Sequence, residues 1–121
     1  MRTKGSLQLS DKGTVGESLD EVVHQRTRLS ILMLLGGGVE VDFSFLRTSL
    51  DLTDGNLGRH LDVLAEAGII AVRKTYNGRR SRSWIRLTDY GTLKLGQEAR
   101  ILRSIADQID QVRALNSDET Y

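Results

Sequence analysis

The chain has 121 residues, with 17 Lys and Arg against 16 Asp and Glu, no Cys, no Pro, 39% apolar and 27% charged residues. That length fits one domain, or one domain plus an oligomerisation helix, and a chain of this size buries roughly two thirds of its unfolded surface without staples. Without Cys, disulfides, iron–sulfur clusters and thiolate metal sites are excluded; no apolar run nears the ~20 residues of a membrane span and MRTKGSLQLS has no signal-peptide core, so a soluble cytoplasmic protein is expected.

Residues 1–16, rich in Gly, Ser, Thr and Lys, read as a flexible arm. Ser18-Leu19-Asp20-Glu21 then has the S-x-x-E form of a capping box. Leu19, Val22 and Val23 lead into Leu29, Leu32, Met33 and Leu35 at helical spacing, and Gly36-Gly37-Gly38 ends that helix. Val39 and Val41 suit a short strand or an extended connection. Asp42 is a good N-cap for a helix carrying Phe43, Leu46 and Leu50. After Asp51-Leu52, Thr53 caps a second helix carrying Leu57, Leu61 and Leu64, with Gly68 as its left-handed terminator. Two short helices on so tight a link cross steeply, as in a helix-turn-helix.

Ile69 to Tyr76 and Arg79 to Leu87 have strand character, and Asn77-Gly78 between them is a strong hairpin signal with both turn residues expected at positive φ. Thr88-Asp89 opens a last helix. Within it Leu95, Leu102, Ile105, Ile109 and Val112 fall at a, a, d, a and d of a seven-residue repeat, with Glu98 at the missing d. At 1.5 Å per residue that helix spans ~40 Å, long for so small a globule. The tail from Asn116 to Tyr121 is polar and expected to fray. The fold class is mainly α with a small β-hairpin, a winged helix-turn-helix with a long C-terminal helix. The domains read as the arm 1–16, the winged helix-turn-helix 17–96, and 97–121 as the continuing helix and tail.

The net charge of +1 hides a polarised chain. Arg73, Lys74, Arg79, Arg80, Arg82 and Arg86 lie within one segment that has no acidic residue, which leaves 11 basic against 16 acidic residues elsewhere, a net of −5. A charge run is usually only a solvated face, but this one sits on a hairpin directly after a helix-turn-helix, and it favours Arg, whose planar fork suits phosphate and base edges.

The segment LTDGNLGRHLDVLAEAGII followed by VRKTYNGRRSRSWIRLTDYG resembles the small stand-alone winged-helix regulators of the MarR/ArsR-like class, and the likeness runs from about Leu19 to Gly96. The resemblance implies a dimeric transcriptional regulator, most often a repressor, whose second motif helix enters the major groove and whose wing contacts backbone or minor groove. The sequence departs from the class in proline. None occurs near His24-Gln25-Arg26-Thr27-Arg28 or in Arg80-Ser81-Arg82, where at ~5% usage about six would be spread along the chain. Their absence predicts a more continuous first helix and a more mobile wing.

On that reading Thr53, Asp54, Gly55, Asn56, Arg59 and His60 occupy the exposed first turns of the recognition helix. Asn56 suits an adenine edge, Arg59 a guanine or a phosphate, and Thr53 with the free N–H groups of the first turn a phosphate. Gly55 and Gly58 either let the backbone approach the groove floor or pack tightly on the preceding helix. His60 and His24, with no Cys beside them, form no metal site; a hydrogen-bonded structural histidine or a phosphate contact accounts for either. In the wing Lys74, Arg79, Arg80 and Arg82 are candidates for phosphates or an A·T-rich minor groove. Arg73 and Arg86, deeper in the strands, are read as partners of Asp62, Glu66 or Asp89. Trp84 is expected to pack on the helix layer rather than stack on bases.

Leu95, Leu102, Ile105, Ile109 and Val112 cover either the domain's own core or a second copy. The helix exceeds what one small core needs, so a homodimer is expected, with two recognition helices ~34 Å apart on a pseudo-palindromic double-stranded DNA operator. Leu19, Val22 and Val23 are candidates to join that interface. No cofactor or membrane partner is expected. A small-molecule effector between dimer helices is allowed, but nothing in the sequence marks its pocket. The alternative is a winged-helix protein-interaction module, which would want apolar residues on the exposed face of the second motif helix, and there are none. An enzyme is not expected: there is no phosphate loop, no G-x-S-x-G, no Cys nucleophile and no metal or triad spacing.

Overall fold

The computed structural model describes residues 20–119, with side chains over 20–117. The arm 1–16, the Ser18 half of the capping box, Leu19 and the last two residues lie outside that range. The first helical run is divided in two, as α1 (Glu21–His24) and α2 (Arg26–Leu35). The break is at Gln25, whose φ of −58° and ψ of 132° are not helical. Its side-chain oxygen accepts from Arg28 N at 2.8 Å, capping α2. Arg28 in turn donates through Nε to Val22 O (2.7 Å) and through Nη2 to Glu21 O (3.3 Å), so two carbonyls of α1 are satisfied by a side chain. A continuous first helix was expected for want of proline. The Gln25 cap and the Arg28 fork produce the break without one.

Next come β1 (Val41–Asp42), α3 (Phe43–Leu50), α4 (Asp54–Glu66), β2 (Ile70–Asn77), β3 (Arg80–Leu87) and α5 (Asp89–Glu119). The expected caps are present. Asp42 Oδ1 accepts from Phe45 N at 2.8 Å, Thr53 Oγ1 from Asn56 N at 3.1 Å and Thr88 Oγ1 from Gly91 N at 2.9 Å. The α3–α4 link turns at Asp51, whose φ of 54° is left-handed, a conformation Asp tolerates better than most residues. α5 runs through Asn116 to Glu119, where fraying was expected.

The described residues fall into two compact units, one of them Glu21–Leu95. Its core is Val23, Ile31, Leu32, Leu35, Leu46, Leu57, Leu61, Leu64, Ile69, Ile70 and Ile85. α2 and α4 each contribute one face at helical spacing, Ile31, Leu32 and Leu35 from the first and Leu57, Leu61 and Leu64 from the second, while α1 and α3 add Val23 and Leu46. Val23 is fully buried in this core, so it is not available to a subunit interface, and Val22 is partly buried against it. Leu95 likewise packs on the core: a Cβ placed on Gly36 would stand 3.7 Å from its Cδ2. Of the two roles open to Leu95, a share in its own domain's core is the one its packing shows.

The sheet has three strands in the order β1-β3-β2, all antiparallel. β1 pairs only Val41 with Ile85 and Asp42 with Trp84, so the rest of β3 is bonded on one side alone. The hairpin register places Asn77 opposite Arg80, and the two turn residues are therefore Gly78 and Arg79. Only Gly78 has positive φ (65°), the sign pattern of a II′ turn rather than the I′ turn expected of Asn77-Gly78. The one-residue offset carries Arg79 to the tip itself.

Of the second unit, α5 from Gly96 onward is described. Glu98 is buried and Ile105 half-buried, while Leu102, Ile109, Val112 and Leu115 are exposed.

Candidate nucleic-acid interface

Strand alternation sorts the wing into two faces. Ile85 points into the core, with Val72, Lys74, Ser81 and Ser83 on the same face; Arg73, Thr75, Arg80, Arg82, Trp84 and Arg86 lie on the other. Trp84 thus stands one position from the core residue, on the opposite face of the sheet. Its Nε1 donates to Thr75 Oγ1 at 3.1 Å, and two guanidiniums lie over its ring, Arg82 at 5.5 Å and Arg73 at 6.0 Å from the centroid. The expected packing on the helix layer is replaced by this stack because Ile85 already occupies the inward position.

The six basic residues divide by partner. Arg73 bonds Glu40 through Nε (2.9 Å) and Nη2 (2.6 Å), not the Asp62, Glu66 or Asp89 expected. That bond, reinforced by the charges of Arg73 and Arg86 and opposed by partial burial, holds the Glu40 carboxyl below the usual range. Arg82 Nε lies 3.7 Å from Asp42 Oδ2, and Arg86 Nη1 donates to Leu87 O at 3.3 Å. Lys74, Arg79 and Arg80 are exposed and, among the described residues, their side chains have no ion pair or hydrogen bond. Glu40 and Asp42 escaped notice as partners of the wing, although the alternation Val39-Glu40-Val41-Asp42 carries the signal. On a strand that pattern sets both carboxylates on one face, here the face of Trp84.

On α4, Thr53 to Asn56 and Arg59 are exposed. Asp54 pairs with Arg47 Nε at 3.1 Å, tying the start of α4 to α3. Arg59 Nη2 donates to Asn56 Oδ1 at 3.3 Å, which joins the two candidate readers on one ridge. His60 is half-buried and its Nδ1 lies 3.3 Å from Arg28 Nη1. Burial, then the charges of Arg28 and Arg59, hold its pKa below the ordinary imidazole value, so the ring is neutral near pH 7 and accepts from Arg28. That contact ties α4 to the α1–α2 break. A Cβ on Gly55 or Gly58 would meet nothing within 4 Å, so tight packing on α3 does not account for either glycine.

Between the start of α3 and the wing is an open cleft of about 680 Å³, lined by Phe43 and Ser44 on one side and Thr75, Tyr76, Arg80, Arg82, Ser83 and Trp84 among the residues on the other. Among the described residues no cluster of His, Asp and Glu could hold a metal ion, and no helix is long and apolar enough to cross a membrane.

Residues 27–106 match the family described as winged helix DNA-binding domain. An uncharacterized protein of Methanocaldococcus jannaschii is 35% identical over 71 residues, covering 59% of this chain and 77% of its own. A transcriptional regulator homologue from Pyrococcus horikoshii superposes with a TM-score of 0.73 at 25% identity, over 86% of this chain and 99% of that one. The transcriptional repressor CouR, solved on a 23-mer DNA duplex, shares the fold with a TM-score of 0.61 at 20% identity, over 84% of this chain and 78% of its own.

Proposed function

The chain belongs to the winged helix DNA-binding domain family, and from that premise we propose that it is a dimeric, sequence-specific binder of double-stranded DNA that regulates transcription, as a repressor. The observation that carries the reading is the split among the wing cations. Three are tied to carboxylates or to the backbone, while Arg79 and Arg80 at the hairpin tip and Lys74 in mid-strand stand unengaged. Arginines without internal partners at a tip are arranged for an external anion, and the phosphate backbone supplies one. The exposed ridge of Asn56 and Arg59 on α4 supplies donors and acceptors for base edges in the major groove, Thr53 and the first-turn N–H groups a phosphate contact, and bare backbone at Gly55 and Gly58 permits close approach. Asp54 and His60 hold that helix in place and are not direct contacts.

The domain spans 17–96 on this reading, with 97–121 continuing as a dimerisation helix. The stripe Leu102, Ile105, Ile109 and Val112 supports a paired helix, since three of the four are exposed in the single chain. Repression needs only occupancy of an operator, so it requires no surface beyond these. The P. horikoshii and CouR likenesses support a regulator in the same sense. Selection of bound duplexes from a random pool, with the protein's mass in solution measured alongside, tests the whole reading. Recovery of a pseudo-palindrome by a species of twice the chain mass is expected. A monomer, or a pool without enrichment, would overturn it.

A further inference from the structure

The two carboxylates that face the wing hold their arginines differently. Glu40 grips Arg73 with two short bonds, while Asp42 meets Arg82 at a single point, 3.7 Å from Nε and beyond hydrogen-bond distance. Asp42 cannot follow if Arg82 moves. Its backbone is paired with Trp84 in β1, its Oδ1 is bonded to Phe45 N as the cap of α3, and its side chain is 20% exposed against 62% for Arg82. Arg82 is also the cation that borders both Asp42 and the cleft between α3 and the wing, where Ser44, Arg80 and Ser83 offer further donors.

Resting on the reading of the protein as a duplex binder, we propose that Asp42 is an internal stand-in for a DNA phosphate: Arg82 leaves it to meet a backbone phosphodiester in the cleft, and the bared carboxylate weakens the grip of the wing on duplexes of any sequence. The exchange is between like partners. Arg82 gives up one anionic oxygen and gains another, while Asp42 keeps its capping bond and stays charged beside the phosphate. Each phosphate contact therefore costs one internal contact and adds one repulsion at close range. The net effect falls on backbone affinity, which is blind to sequence, and leaves base-edge contacts on α4 untouched. Asp42 is thus a positioning residue that sets the ratio of specific to non-specific binding.

The test uses the full chain and a mixed-sequence duplex of roughly two helical turns (~20 base pairs), titrated over a range of salt. Asp42→Asn removes the charge and keeps a good N-cap, so the thermal midpoint should hold. It should bind the mixed duplex about two- to fivefold more tightly at low salt, with the log–log salt slope steeper by about one. A lost cap alone would move affinity the other way and leave the slope unchanged. In an Arg82→Gln background the salt slope should no longer respond to the same substitution, and the gain should shrink to what relief of the repulsion supplies. Unchanged or weaker binding by Asp42→Asn, or an equal gain without Arg82, overturns the inference. Asp42→Ser, also an N-cap former, repeats the test if Asn lowers the midpoint. Should the unaltered protein show no salt-dependent binding, the duplex-binding reading itself fails, whereas normal binding with an inert Asp42→Asn removes the inference alone.

Discussion

Arg73 on β2 reaches across β3 to bond both carboxylate oxygens of Glu40, the residue just before β1, and passes over the ring of Trp84 on the way. One side chain thus ties together three strands, of which β1 has only two ladder positions. The pair is partly solvated, but it is bidentate, and that geometry separates it from the usual surface ion pair.

The Glu40 carboxyl titrates below its unfolded value, so the folded state binds fewer protons than the unfolded one in acid. Its contribution is present above the ordinary glutamate range and is lost as pH falls through the lowered folded value. Glu40→Gln should therefore flatten the acid limb of the thermal midpoint against pH, and Arg73→Gln should do the same. An unaltered limb in both would remove the clamp.

His60 follows the same sign in a different window. Its folded pKa is lowered, so stability is present near pH 7 and declines as pH falls below the imidazole's unfolded value of about 6.5. Protonation would also set a third cation between Arg28 and Arg59. Melting curves from pH 7.5 to about 5.5 should show a fall that is absent in His60→Gln. A rise in stability over that interval would contradict the neutral ring.

Gly91, in the first turn of α5, is buried, and a Cβ there would overlap the carbonyl oxygen of Ile69. That carbonyl already accepts from Thr88 N at 3.0 Å, so it is not free to turn aside. Gly91→Ala should cost about 2–4 kcal/mol in denaturant unfolding. Gly58→Ala, in open space within a helix, should instead gain up to about 1 kcal/mol of stability. A matching loss at both sites would show that the close approach is not what matters.

For the wing, Arg79→Ala with Arg80→Ala should weaken binding to all duplexes alike and reduce the salt slope by about two. A loss confined to one sequence would assign those arginines to base readout instead.

Asn56→Ala should behave in the opposite way. It relaxes preference at one base pair by about 1–3 kcal/mol and leaves the salt slope near its original value. Binding to a pool of operator variants, measured in parallel, separates the two outcomes.

Much of this architecture is legible in the sequence because local signals agree with one another. Asp42, Thr53 and Thr88 each precede an apolar periodicity and cap a helix, and Gly68 (φ 78°) closes α4. What sequence reading misses are pairings set by tertiary register. Arg73 finds Glu40 at a separation of 33 residues and Arg28 finds His60 at 32; the alternation at 39–42 sets a face for Glu40, but no local signal selects either partner. Asn77-Gly78 misleads for a local reason. Either Asn77-Gly78 or Gly78-Arg79 makes a two-residue turn, and only the pairing of the strands selects the second. Leu95 shows a third limit: a heptad position cannot tell a partner's surface from the domain's own core, which lies within reach of the first turns of α5.

β1 stops at Asp42, opposite Trp84, and leaves the outer half of the hairpin without a neighbour on the β3 side. Two-stranded ribbons twist more than wider sheets and are marginal on their own. The wing is therefore a cantilever clamped at Trp84, stiff at its root and compliant at Gly78. If the wing lies in a groove as proposed, grooves of different width would be met by bending that arm, with the helices left at rest.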